Sequence, residues 1–389
     1  MSAAGVAAGR PDVVVIGAGV IGAACALYAA RAGFTVTVVD SGPVAGGTSG
    51  AGEGNLLVSD KEPGPELELA MRSQELWRLL AAEGLGEGFE YEAKGGLVVA
   101  ATASDFSALR AFAAAQEAAG VIADEVAADS LAEFEPYLAQ GFAGGFWYPQ
   151  DAQVMPALAT ARMLQASGAE LFLGSAVTGL LTSGDGAVRG VRTTRGEIPA
   201  RYVVNAAGLW SAAIAAMAGS ALPVQPRRGF VLVTEPLPAL IRHKVYSAAY
   251  VSDVASSDAA LQSSAVVEGT PSGPVLIGAS RERVGLDRTP SYEALQRLAA
   301  QAVEMFPFLE RIDVQRYYCG FRPYLPDHLP AIGPDARIAG LFHACGHEGA
   351  GIGLAPATGE LIAALLVGEK PQVDAEPFRP ARFEEVAAA

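Results

Sequence analysis

The most regular pattern of apolar and polar positions lies between residues 11 and 40. Residues 12–16 are mostly β-branched and apolar, which is typical of a strand buried on both faces. An Ala-rich segment follows and stops at Gly33, a residue type that often ends helices. A second apolar run covers residues 34–39. The pattern predicts a strand, a helix and a second strand, the unit from which parallel sheets are built.

Further along the chain, helical and extended patterns alternate. Helices are predicted over 65–83, 104–120 (with Ser104 as a cap), 130–133, 155–168, 292–305 and from about 350 to 367. Strands are predicted within 91–101 and over 142–148, 170–173, 177–182, 188–193, 201–205, 229–234, 244–250, 264–269, 275–280, 314–319 and 341–345. Residues 251–262 are polar and irregular. Because both ends of the chain have the nucleotide-type pattern and the middle is rich in strands, the front and back should meet in one domain.

The predicted fold class is therefore α/β, a Rossmann-type domain joined to an α+β substrate domain with a mostly antiparallel sheet. The first domain is predicted to be discontinuous, with residues 10–58, 146–226 and 318–370. The second comprises 59–145 and 227–317, and 371–389 form a tail.

Composition restricts the possible partners. The formal charge is −15 and no block of Lys or Arg occurs, which argues against nucleic acid and anionic membranes. The 3 cysteines are scattered, which favours a reducing compartment, the cytoplasm. The 4 histidines lack metal-ligand spacing, so no metal site is expected. Gly and charged residues interrupt the apolar runs, so no membrane span is expected either.

The glycines after the first strand have the spacing of a dinucleotide-binding loop. Gly17 permits the tight turn, Gly19 lets a pyrophosphate approach the backbone, and Gly22 lets the helix pack close to the sheet. The start of the helix offers free N–H groups to phosphates. Asp40 lies at the end of the second strand, where a carboxylate accepts hydrogen bonds from ribose hydroxyls. An acid at this position also argues against a 2′-phosphate.

Three other segments are rich in small residues or carry a specific motif. Residues 41–58 form a second Gly/Ser-rich loop, and 205–210 (NAAGLW) follow a strand. The stretch 319–327 reads CGFRPYLPD, and 346–359 reads GHEGAGIGLAPATG. With the opening glycine motif, these segments resemble the D-amino-acid oxidase-like family of flavoenzymes, which includes glycine oxidase, sarcosine oxidase and D-amino-acid dehydrogenases. The closing motif is most similar to the β-type catalytic subunits of opine and hydroxyproline dehydrogenases and to the hydrogen cyanide synthase chain.

The resemblance implies a non-covalent FAD. Sarcosine oxidases attach flavin through a cysteine in this general region, which leaves a covalent link through Cys319 as the minor alternative. The start of the last helix, near Ala350, would aim its N–H groups at the flavin edge where negative charge develops. The residues implied in binding are Gly17, Gly19, Val20, Ile21, Gly22, Asp40, Ser41, Thr48, Ser49, Gly54, Asn55, Val177, Ala206, Ala207, Gly208, Trp210, Gly349, Ala350, Gly351, Ile352 and Gly353.

Arg322 is the main candidate for substrate binding. Its guanidinium can pair with a carboxylate through two parallel hydrogen bonds, and the family pattern places this arginine above the flavin ring. A structural salt bridge with one of the 42 acidic residues is the alternative. Further candidates for the pocket are His347, Tyr246, Tyr250 and Tyr324, although a core or surface position is the better reading of each tyrosine taken alone and a structural histidine is an equally good reading of His347.

These residues predict an FAD-dependent amine or amino-acid dehydrogenase or oxidase. The substrate would be a D-amino acid, a glycine- or sarcosine-like amine, proline, hydroxyproline or an opine, oxidised to an imine by hydride transfer to flavin N5. The first alternative is a flavin-carrying subunit of a multi-subunit dehydrogenase, inactive alone. The second is an NAD-linked dehydrogenase, against which no second strand with a terminal acid follows the last helix.

Overall fold

The computed structural model describes residues 10–255 and 258–383. The helices are α1 Val20–Arg31, α2 Pro65–Leu80, α3 Ala103–Ala118, α4 Leu131–Phe134, α5 Pro156–Ser167, α6 Ser211–Met217, α7 Ala248–Ala255, α8 Tyr292–Met305 and α9 Gly351–Val367. The strands are β1 Val13–Ile16, β2 Val36–Val39, β3 Asn55–Leu56, β4 Gly96–Ala100, β5 Asp124–Ala127, β6 Gly144–Tyr148, β7 Ala152–Gln153, β8 Glu170–Phe172, β9 Val177–Thr182, β10 Val188–Thr193, β11 Gly196–Pro199, β12 Tyr202–Asn205, β13 Gln225–Pro236, β14 Lys244–Ser247, β15 Gln262–Gly269, β16 Pro274–Arg281, β17 Val314–Tyr324, β18 Ala331–Pro334 and β19 Leu341–Cys345.

The first sheet brings the two ends of the chain together. Its strand order is β18-β19-β12-β1-β2-β8, with β1 parallel to both β2 and β12, and β19 parallel to β12. All four residues of β1 are buried, as expected for a strand covered on both faces. The predicted α/β fold class is confirmed, and the carboxyl ends of β1, β2, β12 and β19 meet at one edge.

Helices α1 and α9 pack against each other at very short range. A Cβ atom added to Gly359 of α9 would lie 2.6 Å from backbone atoms of Ala24 in α1. A Cβ added to Gly22 would lie 1.9 Å from the Gly17 carbonyl oxygen. The lack of a side chain at Gly22 therefore lets α1 pack directly against the loop that precedes it. Since both helices begin at the same edge of the sheet, this contact brings their N-termini close together.

The segment Glu348–Val367, which contains α9, has the length and composition of a membrane-crossing helix, and 61% of its apolar window is buried inside the fold. No apolar run of this length was expected from the sequence. Buried helices in the core of a folded domain can have the same length and composition, so this segment carries no conclusion about a membrane.

The second sheet, with strand order β17-β13-β16-β15-β14-β4-β6-β5, is antiparallel except for the pair β14 and β4. Strand β17 extends to Tyr324, so the CGFRP motif is part of a strand that pairs along its length with β13. The boundaries of the two expected domains stay a prediction.

Two local predictions are corrected. The predicted strand 244–250 ends at Ser247, and α7 begins at Ala248. This helix continues to Ala255 and so covers the first residues of the stretch 251–262, which was expected to be irregular. Residues 256 and 257 of that region lie outside the described residues. The cap of α3 is Thr102 rather than Ser104, because the Thr102 side chain accepts the Asp105 N–H and the Asp105 carboxylate reaches back.

Candidate functional site

A cavity of ≈ 390 Å³ opens at the carboxyl edge of the first sheet, where the glycine segments meet. Parallel sheets with this arrangement bind ligands at that edge. Gly19 and Gly351, which are far apart in sequence, both line it. The sequence-predicted binding residues that line the cavity are Gly17, Gly19, Val20, Ile21, Asp40, Ser41, Thr48, Ser49, Asn55, Val177, Ala206, Ala207, Gly208, Trp210, Gly349, Gly351 and Ile352.

Four predicted residues lie elsewhere. Gly22 packs against the Gly17 carbonyl, and Gly54 lies against the Val154 carbonyl, which a Cβ atom would meet at 1.7 Å. Gly353 faces strand β3, and Ala350 lines only a neighbouring cavity. The small size of Gly22 and Gly54 therefore serves backbone packing.

Asp40 organises the loops around the cavity. One of its carboxylate oxygens accepts the Ala18 N–H at 2.7 Å and the other accepts the Gly42 N–H at 2.7 Å. Ser49 is equally well placed, since its hydroxyl accepts the Val20 N–H at 2.9 Å at the start of α1. The Gly-rich loop 17–22 and the second loop are thus fixed to each other, and each carboxylate oxygen keeps a lone pair for a ribose hydroxyl.

The cavity fits a dinucleotide that carries a polar ring. Helix α9 begins at Gly351 without a side-chain cap, so its first N–H groups can bind an acceptor atom. Two buried oxygens of residues that line the cavity, Oδ1 of Asn55 and Oε1 of Glu53, have no hydrogen-bond partner among the described residues. Since buried polar atoms are normally satisfied, these atoms indicate a missing ligand.

Arg322 lies where this cavity joins a second one of ≈ 300 Å³. One of its guanidinium nitrogens donates to the Ser280 carbonyl oxygen at 2.8 Å. Gly229 makes room for it, because a Cβ there would lie 2.4 Å from that nitrogen. Among the side chains of residues 10–251 and 258–383 no carboxylate lies within 4.0 Å of Arg322, so the alternative of a structural salt bridge is not seen there. The guanidinium can therefore receive a ligand carboxylate.

His347 lines both cavities as a neutral group. Burial lowers the pKa of its imidazole to about 3. Its Nε2 lies 3.0 Å from the Thr358 hydroxyl, which itself donates to the Leu354 carbonyl. The Thr358 hydroxyl must then accept from the ring, which leaves Nδ1 of His347 as an acceptor.

The three candidate tyrosines have different positions. Tyr250, in α7, lines both cavities. Tyr246 is fully buried in the core and bonds to the Ser59 hydroxyl, and Tyr324 is also buried; neither lines either of these two cavities. The expectation that Tyr246 and Tyr324 form the pocket wall is wrong, because their strands turn these side chains into the protein interior.

The buried carboxyl group of Asp151 bonds to the same Ser59 hydroxyl as Tyr246, and it should make the stability of the protein depend on pH. Burial raises the pKa of Asp151 to about 7, although it accepts the Val58 N–H at 2.8 Å and the Ser59 hydroxyl. Since its pKa is about 3.9 in the unfolded chain, the folded state holds this proton more tightly. Stability is therefore lost as pH rises from about 4 to about 7, by up to about 1.4 kcal/mol per unit.

We expect Asp151→Asn to remove this dependence. The free energy of unfolding from urea titrations at pH 5, 6, 7 and 8 should fall more steeply for the wild type than for the variant up to pH 7. Subtracting the free energy of unfolding of the variant from that of the wild type at each pH cancels the contributions of all other titrating groups. Parallel curves would contradict the assignment.

Sequence reasoning missed two charged residues of the site. Glu53 lines the first cavity, and burial raises the pKa of its carboxyl to about 7 although the nearby positive charges of Lys244 and Arg322 oppose this. Arg281 lines the second cavity. Glu53 could have been noticed as the one acidic residue in the loop 41–58. Arg281 had no such signal, because its place depends on how the second sheet pairs.

Cys319 does not line either cavity and packs instead with the core around Phe230. Burial raises the pKa of its thiol. This position favours a flavin that is held without a covalent bond to Cys319. Among the described residues there is no group of three or more His, Cys, Asp or Glu side chains that could hold a metal ion.

Comparisons with known proteins agree with this geometry. The hydrogen cyanide synthase subunit HcnC of Pseudomonas aeruginosa is 33% identical over 266 residues, which are 67% of this chain and 60% of that protein. The chain therefore spans less than two thirds of HcnC. The glycine oxidase of Pseudomonas putida is 32% identical over 386 residues, 95% of this chain and 98% of that enzyme.

The solved structure of L-proline dehydrogenase from P. horikoshii superposes with a TM-score of 0.87 at 27% identity, over 97% of this chain and 98% of that one. The family model described as FAD dependent oxidoreductase (DAO) matches residues 12–365. The resemblance indicated by the motifs is thus confirmed, and FAD is the cofactor that the residues around the first cavity fit. The chain belongs to the FAD dependent oxidoreductase (DAO) family.

Proposed function

We propose that the protein oxidises a small amino acid or a carboxylate-bearing amine at the carbon next to nitrogen and gives an imine, which water hydrolyses. The observation that carries this proposal is Arg322, a half-buried guanidinium at the junction of the two cavities that has no carboxylate partner among the described side chains. The named activities of glycine oxidase and L-proline dehydrogenase support the same substrate class.

FAD would be held by the loop 17–22, Asp40, the loop 41–55 and the start of α9, and when bound it supplies a two-electron acceptor for the hydride. Arg322 binds the substrate carboxylate and fixes the direction of the neighbouring C–H bond. The N–H groups at Gly351 stabilise negative charge that develops beside them. Neutral His347 and the ring of Tyr250 line the junction and keep water out.

Anaerobic mixing of the purified, flavin-loaded protein with a panel of amino acids tests the proposal. We expect the flavin absorption near its visible maximum to bleach with glycine, sarcosine, proline, hydroxyproline, an opine or a D-amino acid. An acyclic substrate should give the carbonyl product and released ammonia or amine in equal amounts, whereas proline or hydroxyproline should give a cyclic imine that water opens without releasing an amine. The same sample must bleach with dithionite, which shows that the flavin is reducible. If dithionite bleaches it and no amine or amino acid does, the proposal is wrong.

A second candidate follows from HcnC, which is named as a subunit of a larger enzyme. In that case this chain carries the flavin in a multi-subunit dehydrogenase of the cytoplasm and is inactive alone. The formal charge of −15 provides an acidic surface for such assembly. Turnover with an artificial electron acceptor, measured for the chain purified alone and after co-expression with candidate partner chains, separates the two functions.

A further inference from the structure

Arg281 is a buried charge that has no ionic or hydrogen-bonding partner among the described side chains. It ends β16, is only 5% exposed and lines the second cavity. Its guanidinium has no hydrogen bond or ion pair with residues 10–251 or 258–383, and it lies over the ring of Tyr250, 5.1 Å from the ring centroid. Other buried arginines of this sheet do have partners, since Arg227 pairs with Glu348 and Arg228 with Glu282. A buried guanidinium without an anion is costly, so Arg281 calls for a ligand that is negatively charged.

Most other charged groups that line the second cavity have partners of opposite charge, and Glu62, which also lines it, is exposed to solvent. Lys61 forms an ion pair with Asp60 and also interacts with Glu66. Glu348 is bound by Arg227. These groups cannot neutralise Arg281 without giving up their own partners.

Arg281 and Arg322 act on each other. Burial lowers the pKa of the Arg322 guanidinium most, and the positive charge of Arg281 is the next largest cause. The two guanidinium groups therefore repel each other. Glu53 interacts electrostatically with both, but in the described residues it makes no ion pair with either within 4.0 Å. A ligand with one anionic group for each guanidinium would remove the repulsion and satisfy both donors.

We infer that the substrate carries two carboxylates, of which Arg322 binds the one next to the reacting carbon and Arg281 binds the other. This inference deepens the proposed function and rests on it. The second carboxylate is placed either on the nitrogen substituent, as in iminodiacetate, or on the side chain, as in aspartate. Both have the chemistry that Arg281 recognises, a carboxylate at the far end of a small amine.

Binding of unreactive analogues tests the inference without turnover. Diglycolate has two carboxylates and no amine, and methoxyacetate is the matched monocarboxylate. Calorimetric titration of the flavin-loaded protein should show that diglycolate binds at least about 10-fold more tightly, since hydrogen bonds between charged groups are strong. Equal affinities would overturn the inference.

Variants assign the preference to one residue. In Arg281→Met the ratio of the two affinities should fall to about 1 while methoxyacetate binds as before. Arg281→Lys, which keeps the charge, should retain part of the preference and serves if the methionine variant is unstable. Arg288→Met is the matched control, because Arg288 is exposed and lines neither cavity, and it should leave the ratio unchanged. A ratio that survives in both Arg281 variants would overturn the inference.

Turnover then distinguishes the two positions of the second carboxylate. Iminodiacetate is compared with sarcosine and with its own monoamide, and D- and L-aspartate are compared with D- and L-asparagine. A higher kcat/KM for the dicarboxylate in either set supports the inference, and no preference in both sets refutes it. If monocarboxylic amino acids are oxidised without such a preference, only this inference fails; if no amino acid bleaches the flavin, the proposed function fails.

Discussion

Arg322→Met is expected to lower kcat/KM for an amino-acid substrate by about 30-fold or more. Removing one partner from a buried, hydrogen-bonded charge pair costs about 2–5 kcal/mol, and each 1.4 kcal/mol is a factor of about ten. KM should rise because the carboxylate loses its partner. The kcat should fall as well, because the substrate is no longer held in a single orientation. Steady-state kinetics with an artificial electron acceptor measures both.

A carboxylate-free substrate separates substrate binding from a structural role. For the simple amine that corresponds to the best amino acid, wild type and Arg322→Met should have similar kcat/KM. Arg316→Met is the control variant, since Arg316 lies on the same strand with an exposed side chain. If Arg322→Met impairs both substrates equally or loses flavin, Arg322 supports the fold and does not bind substrate.

Local pattern was sufficient to predict where the glycine segments meet. The βαβ pattern fixes the path of residues 12–40, and parallel strands place their carboxyl ends at one edge, so Gly19 and Gly351 reach the same cavity. The helix that starts near Ala350 was predicted within one residue of Gly351. Such features depend on neighbours in the sequence, which is why a single sequence contains them.

The substrate side depends on contacts between distant segments, and there prediction failed. A strand over 244–250 would turn Tyr246 and Tyr250 to the same face, because side chains alternate with a period of two. The strand ends at Ser247 and α7 follows, which moves Tyr250 to the cavities and leaves Tyr246 in the core. The role of Arg281 depends on the pairing of β16 with β13 and β15. No local pattern specifies that pairing.

Gly359→Ala is expected to destabilise the protein, although helix propensity alone predicts the opposite. Alanine is more favourable than glycine inside a helix by about 1 kcal/mol. At this position, however, the added methyl carbon would lie 2.6 Å from backbone atoms of Ala24, which have no rotamer to change. Overpacking of this kind costs about 1–3 kcal/mol, and the two helices must separate to relieve it. After the gain in helix propensity is subtracted, we expect a net loss of about 1 kcal/mol in the free energy of unfolding.

The consequence should extend to the cofactor. Because α1 and α9 present their N-termini to the same cavity, moving one helix away from the other displaces Gly19 relative to Gly351 and weakens flavin binding. Urea unfolding and the flavin-to-protein absorbance ratio after gel filtration measure the two effects. Gly353→Ala is the control within the same helix, since its added carbon would meet its nearest neighbour at 3.5 Å, an ordinary contact. It should be as stable as the wild type or slightly more so. If Gly359→Ala also gains stability and keeps its flavin, close contact between the helices is not what positions the two N-termini.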